Sequence, residues 1–112
     1  MLTEKSNIWF KSVKEPFFTY LHNGQKTVEG RLYREDWKKM KVGDTIIWFS
    51  NPNGFQGSFE IIGLYKCPDF SSLYRLFGKQ LLPNEDPCIY RSLYSKEEEK
   101  AFGVIGVEVR KL

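Results

Sequence analysis

Alanine is nearly missing from these 112 residues, occurring once, at Ala101. A core without small side chains has to be built from the nine Phe, six Tyr and three Trp together with branched aliphatics, a mixture that suits strands better than a helix bundle. Histidine also occurs once, at His22, and the two cysteines, Cys67 and Cys88, have twenty residues between them. Neither is part of a CxxC pair or near a histidine cluster, so structural zinc is not expected and two reduced thiols are. No apolar run nears the ~20 residues of a transmembrane helix, and the start MLTEKSNIW has no signal-peptide core. No membrane contact is expected; the expected place is the cytoplasm, or the nucleus if the source is eukaryotic or viral. Repeats, low-complexity tracts and linkers are absent too. A chain of this length can hide roughly two thirds of its unfolded surface, so residues 1–112 read as one domain with one core, expected to be monomeric.

What is present is charge, 28% of residues, with a net charge of +3. Residues 1–41 carry nine Lys or Arg against five Asp or Glu, so the first third is basic and the remainder is close to neutral. A sequence pI near 8.8 falls short of a tight duplex binder and points instead to a local basic groove.

Hydrophobic spacing predicts a first strand over Asn7 to Val13, and a helix from Pro16 to Asn23 whose stripe is Phe17, Tyr20 and Leu21, stopped by Gly24. A second strand follows over Gln25 to Tyr33. Arg34 to Met40 reads as a two-turn surface helix anchored by Trp37. Thr45 to Phe49 is too apolar for a half-exposed strand and should be central, paired through the Asn51-Pro52-Asn53-Gly54 turn with Phe55 to Lys66. Asp69, Ser71 or Ser72 can cap a helix bearing Leu73, Leu76 and Phe77, ended by Gly78. A loop runs through Leu81, Leu82, Pro83 and Pro87. Ser95 with Glu98 forms a capping box, which makes Glu97, Glu98 and Glu99 helix-start chemistry rather than a metal site. Val104 to Val109 closes the chain as a strand. Hairpins with interspersed helices and no repeated βαβ unit argue for α+β around a curved or closed sheet.

The chemistry-bearing stretch is Gly24-Gln25-Lys26-Thr27-Val28-Glu29-Gly30-Arg31. Strand alternation puts Glu29 and Arg31 on one face across Gly30, which has no side chain to hold a ligand or another backbone away. Lys26 has the wrong parity and can join them only from a turn or through a bulge.

Gly24, Lys26, Glu29 and Arg31 match the G-x-K-x-x-E-x-R signature of the ASCH domain, which the chain resembles over nearly its whole length. Trp37 before Val42-Gly43-Asp44, then Leu81-Leu82-Pro83, Tyr94 and Gly103-Val104, match further steps of that family. The resemblance implies a small PUA-like β-barrel with short helices packed around it. It also implies a range of functions, since the family includes RNA-associated proteins, part of a transcriptional coactivator, bacterial ribonucleases and a bacterial amidohydrolase acting on acetylated cytidine. Amidohydrolase members carry a nucleophilic threonine three positions after the motif lysine, where this chain has Glu29, and a carboxylate cannot take over that hydroxyl's route.

The residues favour RNA independently of the resemblance. Lys26, Arg31 and Lys38 or Lys39 offer phosphate contacts, and Trp37 on a short exposed helix is the aromatic placed to stack an unpaired base. Single-stranded RNA or a nucleotide is therefore the expected partner, with no cofactor and no metal. Should the cleft cleave RNA, attack by the adjacent 2′-hydroxyl without metal is expected. Glu29 or a deprotonated Lys26 would then be the base, Arg31 would stabilise the phosphate, and the Tyr20 hydroxyl would sit at the groove mouth. Catalysis is left open by the residues. Hydrolysis of N4-acetylcytidine and a non-catalytic interaction module are the alternatives.

Overall fold

The computed structural model describes residues 6–51 and 53–112. The first five residues of the N-terminal stretch, and Pro52 of the Asn51 to Gly54 turn, lie outside the described residues. The elements in chain order are β1 (Ile8–Lys14), α1 (Phe17–Asn23), β2 (Val28–Leu32), β3 (Thr45–Asn51), β4 (Gln56–Cys67), α2 (Phe70–Phe77), α3 (Ile89–Leu93), α4 (Lys96–Phe102) and β5 (Val104–Lys111). The strands lie in the order β1-β3-β4-β5-β2, with β1 parallel to β3 and every other pair antiparallel. This mixed sheet curls into a half-barrel with the four helices packed around it, an α+β architecture.

Period-two alternation divides the core in two. Ile46 and Trp48 of β3, Phe59 and Ile61 of β4, and Ile105, Val107 and Val109 of β5 form one cluster with Phe18 and Leu21 of α1. Val28 and Leu32 of β2 and Val104 of β5 form the other, against Phe70 and Leu73 of α2 and Tyr90 of α3. The apolar Thr45 to Phe49 run is interior to the sheet, between β1 and β4, and Gly54 turns it into β4 at φ +79°. Both β1 and β2 are edge strands, and no backbone ladder joins them.

Helix ends follow local chemistry. Gly24 stops α1 in the left-handed region at φ +86°. Asp69 caps α2 by accepting from the Ser72 amide at 2.8 Å, and Ser95 with Glu98 makes the reciprocal capping box of α4. Glu99 of the acidic triplet is buried, accepting from the Phe70 amide at 3.0 Å and from Arg91 at 2.7 Å, so it ties the start of α2 to α4. No cluster of metal-ligating side chains occurs among the described residues. Cys67 and Cys88 are both free, and no described helix is long and apolar enough to cross a membrane.

Several expectations need correction. Arg34 to Met40 holds only a 3-10 turn over Glu35–Lys38, because Trp37 is pulled into the core, where it stacks on Trp48 at 6.0 Å. In α1 the buried pair is Phe18 and Leu21, while Phe17 is half-buried and packs against both clusters and Tyr20 is half-buried. Leu76 of α2 is 63% exposed, while Phe70 and Leu73 are the buried residues of that helix and Phe77 is half-buried. The second strand begins at Val28 rather than Gln25, and the five-residue helix α3 was not anticipated.

Candidate functional site

The segment between α1 and β2 is a turn, and that turn solves the parity mismatch of Lys26. The Gln25 amide donates to Asn23 Oδ1 at 2.9 Å, the Lys26 amide to the Tyr20 carbonyl at 3.0 Å and the Thr27 amide to the Gln80 carbonyl at 2.9 Å. Held at three successive amides, Lys26 turns inward and is only 1% exposed. Its Nζ lies 3.1 Å from Glu29 Oε1, donates to the Leu81 carbonyl and stands 5.6 Å from the centre of the Phe17 ring. Leu81 thus contributes a backbone acceptor, from the Leu81-Leu82-Pro83 step singled out in the sequence.

Glu29 and Arg31 share a face of β2, as alternation requires. Arg31 grips Glu29 Oε2 through Nε at 2.9 Å and Nη2 at 2.8 Å. The same Nη2 donates to the Ser12 carbonyl of β1 at 2.8 Å, so one guanidinium spans the two unpaired sheet edges. Its plane is supported by Trp37 at 5.1 Å and Trp48 at 5.4 Å, which is the use this fold makes of Trp37.

Electrostatics follow from these contacts. Burial pushes the Glu29 carboxyl up, but Lys26 and Arg31 outweigh it and hold the group below its ordinary value, so Glu29 stays ionised. Burial pushes the Lys26 ammonium down more strongly than Glu29 lifts it, with Arg31 pushing the same way as burial. The triad is a carboxylate clamped between two cations, one of them weakened.

Above it opens a cavity of about 180 Å³, where the half-barrel fails to close. Lys26, Glu29 and Arg31 form its polar floor, and Phe17, Tyr90 and Tyr94 are among its walls. Tyr90 stacks on Phe70 at 4.1 Å, and burial raises its hydroxyl above the ordinary tyrosine value. Four other candidates lie elsewhere. The Tyr20 hydroxyl accepts from Asn84 Nδ2 at 3.1 Å and Tyr20 is not among the cavity walls. Lys38 is exposed beside the Tyr33 ring at 5.7 Å, outside the cavity, as is Lys39. Trp37, at 9% exposure, lies beneath Arg31 and presents no open face to a base. Ser92 donates to the Ile89 carbonyl at 2.7 Å and Ser95 caps α4, so neither reaches the floor.

The three side chains are those of the sequence signature, and the ASCH domain pattern matches residues 12–112. The chain belongs to the ASCH domain family. Among solved structures, this ASCH domain is similar to the hypothetical protein PH0355, at 26% identity and TM-score 0.84, over 94% of this chain and 99% of that one. It is also similar in fold to protein PF0455 from Pyrococcus furiosus, at 23% identity and TM-score 0.72, over 94% and 97%. The ASCH protein from Zymomonas mobilis shares the fold at 16% identity and TM-score 0.71, over 93% of this chain and 67% of that one. No curated protein sequence matches the chain.

Tyr90, Tyr94, Lys14 and Asn51 line the cavity without having been singled out as site residues by sequence reasoning. Tyr90 lies in the five-residue α3 and Tyr94 is the extended residue that ends it, so no periodic signal marked the pair. Lys14 and Asn51 gave none, because what brings them to the cavity is the β1 to β3 register.

Proposed function

We propose that this ASCH domain binds RNA or a nucleotide in the cleft above Lys26, Glu29 and Arg31. The carrying observation is the convergence of those three side chains at the floor of a cavity walled by aromatic rings. Apolar walls with a few fixed polar groups are the usual form of a small-ligand site. Here the floor offers donors on both sides of one carboxylate, a pattern suited to the polar edge of a heterocycle, while rings can take its face. The test is titration of short single-stranded RNAs by fluorescence anisotropy at several salt concentrations. Micromolar binding that weakens as salt rises, and weakens strongly in Lys26→Ala, is expected. Binding that ignores salt, or none in the micromolar range, counts against the reading.

A catalytic version of the same site is favoured by one feature, the buried Lys26 whose ammonium is destabilised. Both Glu29 oxygens are engaged by cations, so Lys26 is the better base of the two. In that version Lys26 takes the proton of a ribose 2′-hydroxyl, the 2′-oxygen attacks phosphorus and the 5′-oxygen leaves, giving a 2′,3′-cyclic phosphate end. Detection of that end in incubated RNA tests it. Amide hydrolysis has less support, since Glu29 holds the nucleophile position and the Thr27 hydroxyl does not line the cavity.

A further inference from the structure

The two signature cations are already engaged inside the protein. Lys26 is held by Glu29 and the Leu81 carbonyl, and Arg31 by Glu29 and the Ser12 carbonyl. Among the described residues, the remaining cation lining the cavity is Lys14, at the end of β1. It is exposed and has no carboxylate partner among the described residues. Asn51 stands beside it as its register partner in β3, also lining the cavity and with its side-chain amide unpartnered among the described residues. An anion entering the cleft therefore meets Lys14 and Asn51 at the rim before it meets the compensated floor.

Size sets the other limit. An apolar cavity of ~150 Å³ accepts one benzene ring, and pockets for drug-sized ligands run to roughly 300–1,000 Å³. At about 180 Å³ the cleft has room for one ring and not for stacked neighbours. We propose that the cleft takes a single nucleotide, free or unstacked from a strand, with its base inside and its phosphate held at the rim by Lys14 and Asn51. This rests on the nucleotide reading above and adds the size class and the phosphate contact.

The experiment measures binding of the four ribonucleosides, their 5′- and 3′-monophosphates and a short single-stranded RNA of mixed sequence by NMR titration. At least one monophosphate is expected to bind roughly fivefold tighter than its nucleoside, the upper range for an exposed charge pair. Lys14→Gln should erase that gap while leaving nucleoside affinity unchanged, and Asn51→Ala should reduce it. Its amide spectrum reports whether the Lys14→Gln fold is intact. RNA no tighter than the monophosphate identifies the free nucleotide as source, and tighter RNA with the same Lys14 dependence identifies an unstacked one. A gap that is absent, or that survives Lys14→Gln, overturns the proposal. RNA binding without any mononucleotide binding overturns it too while sparing the RNA reading, and no binding by any probe ends both.

Discussion

Gly30 of β2 stands directly opposite Gly106 of β5, and Leu73 of α2 fills the bare patch that the pair leaves on the sheet. A Cβ on Gly106 would lie 2.6 Å from Leu73 Cδ1, and one on Gly30 would lie 3.1 Å from Leu73 Cδ2 and 3.0 Å from the Tyr90 hydroxyl. Leu73 is fully buried and Phe70 stacks on Tyr90 at 4.1 Å, so the layer has little room to give. The missing side chain of Gly30 thus serves the helix side of β2, where sequence reading left it open to a ligand or to another backbone. Gly106→Ala is expected to destabilise by about 2–3 kcal/mol and Gly30→Ala by about 1–2 kcal/mol, the latter net of the ~0.5–1 kcal/mol that alanine gains over glycine in a strand. Urea unfolding at neutral pH measures both. Two neutral substitutions would show that α2 is not seated in this gap.

Arg31 joins β2 to β1 where no backbone ladder does, and it rests on two indole rings while doing so. Arg31→Ala removes the bridge, the stack and one of the two cations on Glu29, and should destabilise by about 2–4 kcal/mol. Arg31→Lys restores charge but not the planar fork, so it should recover less than half of that loss. The near-ultraviolet circular dichroism of the Trp37 and Trp48 pair should change in both variants. Full recovery in the lysine variant would mean that charge alone matters there.

Much of the fold was legible because its signals are local: Gly24 and Gly78 as helix stops, Ser95 with Glu98 as a capping box, the uninterrupted Thr45 to Phe49 run as an interior strand. Motif spacing, read with the turn after Asn23-Gly24, also placed Lys26 with Glu29 and Arg31. What escaped depends on contacts distant in sequence. Trp37 looks like the anchor of a surface helix until Arg31, six residues earlier, and Trp48, eleven later, close over it. Leu76 fits the helical stripe of α2, yet it faces outward while Leu73 and Phe77 on either side of it pack inward. Lys14 becomes a cavity residue only through the β1 to β3 register, and α3 is too short to show a period.

Asp44, from the Gly43-Asp44 step, acts as a three-way staple. Its carboxylate accepts from the Trp9 indole at 2.9 Å, the Asn7 amide at 3.1 Å and the Lys41 amide at 3.0 Å. Asp44→Ala would strand those donors near the entry to β1 and should destabilise by about 2–4 kcal/mol, with Asp44→Asn intermediate. Burial raises the carboxyl, but the hydrogen bonds outweigh it and leave the group below its ordinary value. The Trp9 indole proton should lose exchange protection in Asp44→Ala; unchanged protection would show that another group holds the indole.

The Lys26 and Glu29 pair gives stability a pH dependence with two limbs. The Glu29 carboxyl is below its unfolded value, so its contribution is present above that value and lost as pH falls through the folded one. Lys26 is also below its unfolded value, so in the alkaline window between the two the unfolded chain holds more protons and stability rises with pH. Glu29→Gln should flatten the acid limb and leave two cations facing each other with no anion between them, destabilising by about 3–5 kcal/mol at neutral pH. Lys26→Met should remove the alkaline rise while keeping the Glu29 and Arg31 pair. Urea midpoints followed from about pH 3 to pH 10 resolve both limbs. Carbon-13 NMR of the lysine side chains supplies the independent check, with Lys26 titrating below the exposed lysines. A Lys26 that titrates with the others would remove the basis for treating it as a proton acceptor in the cleft.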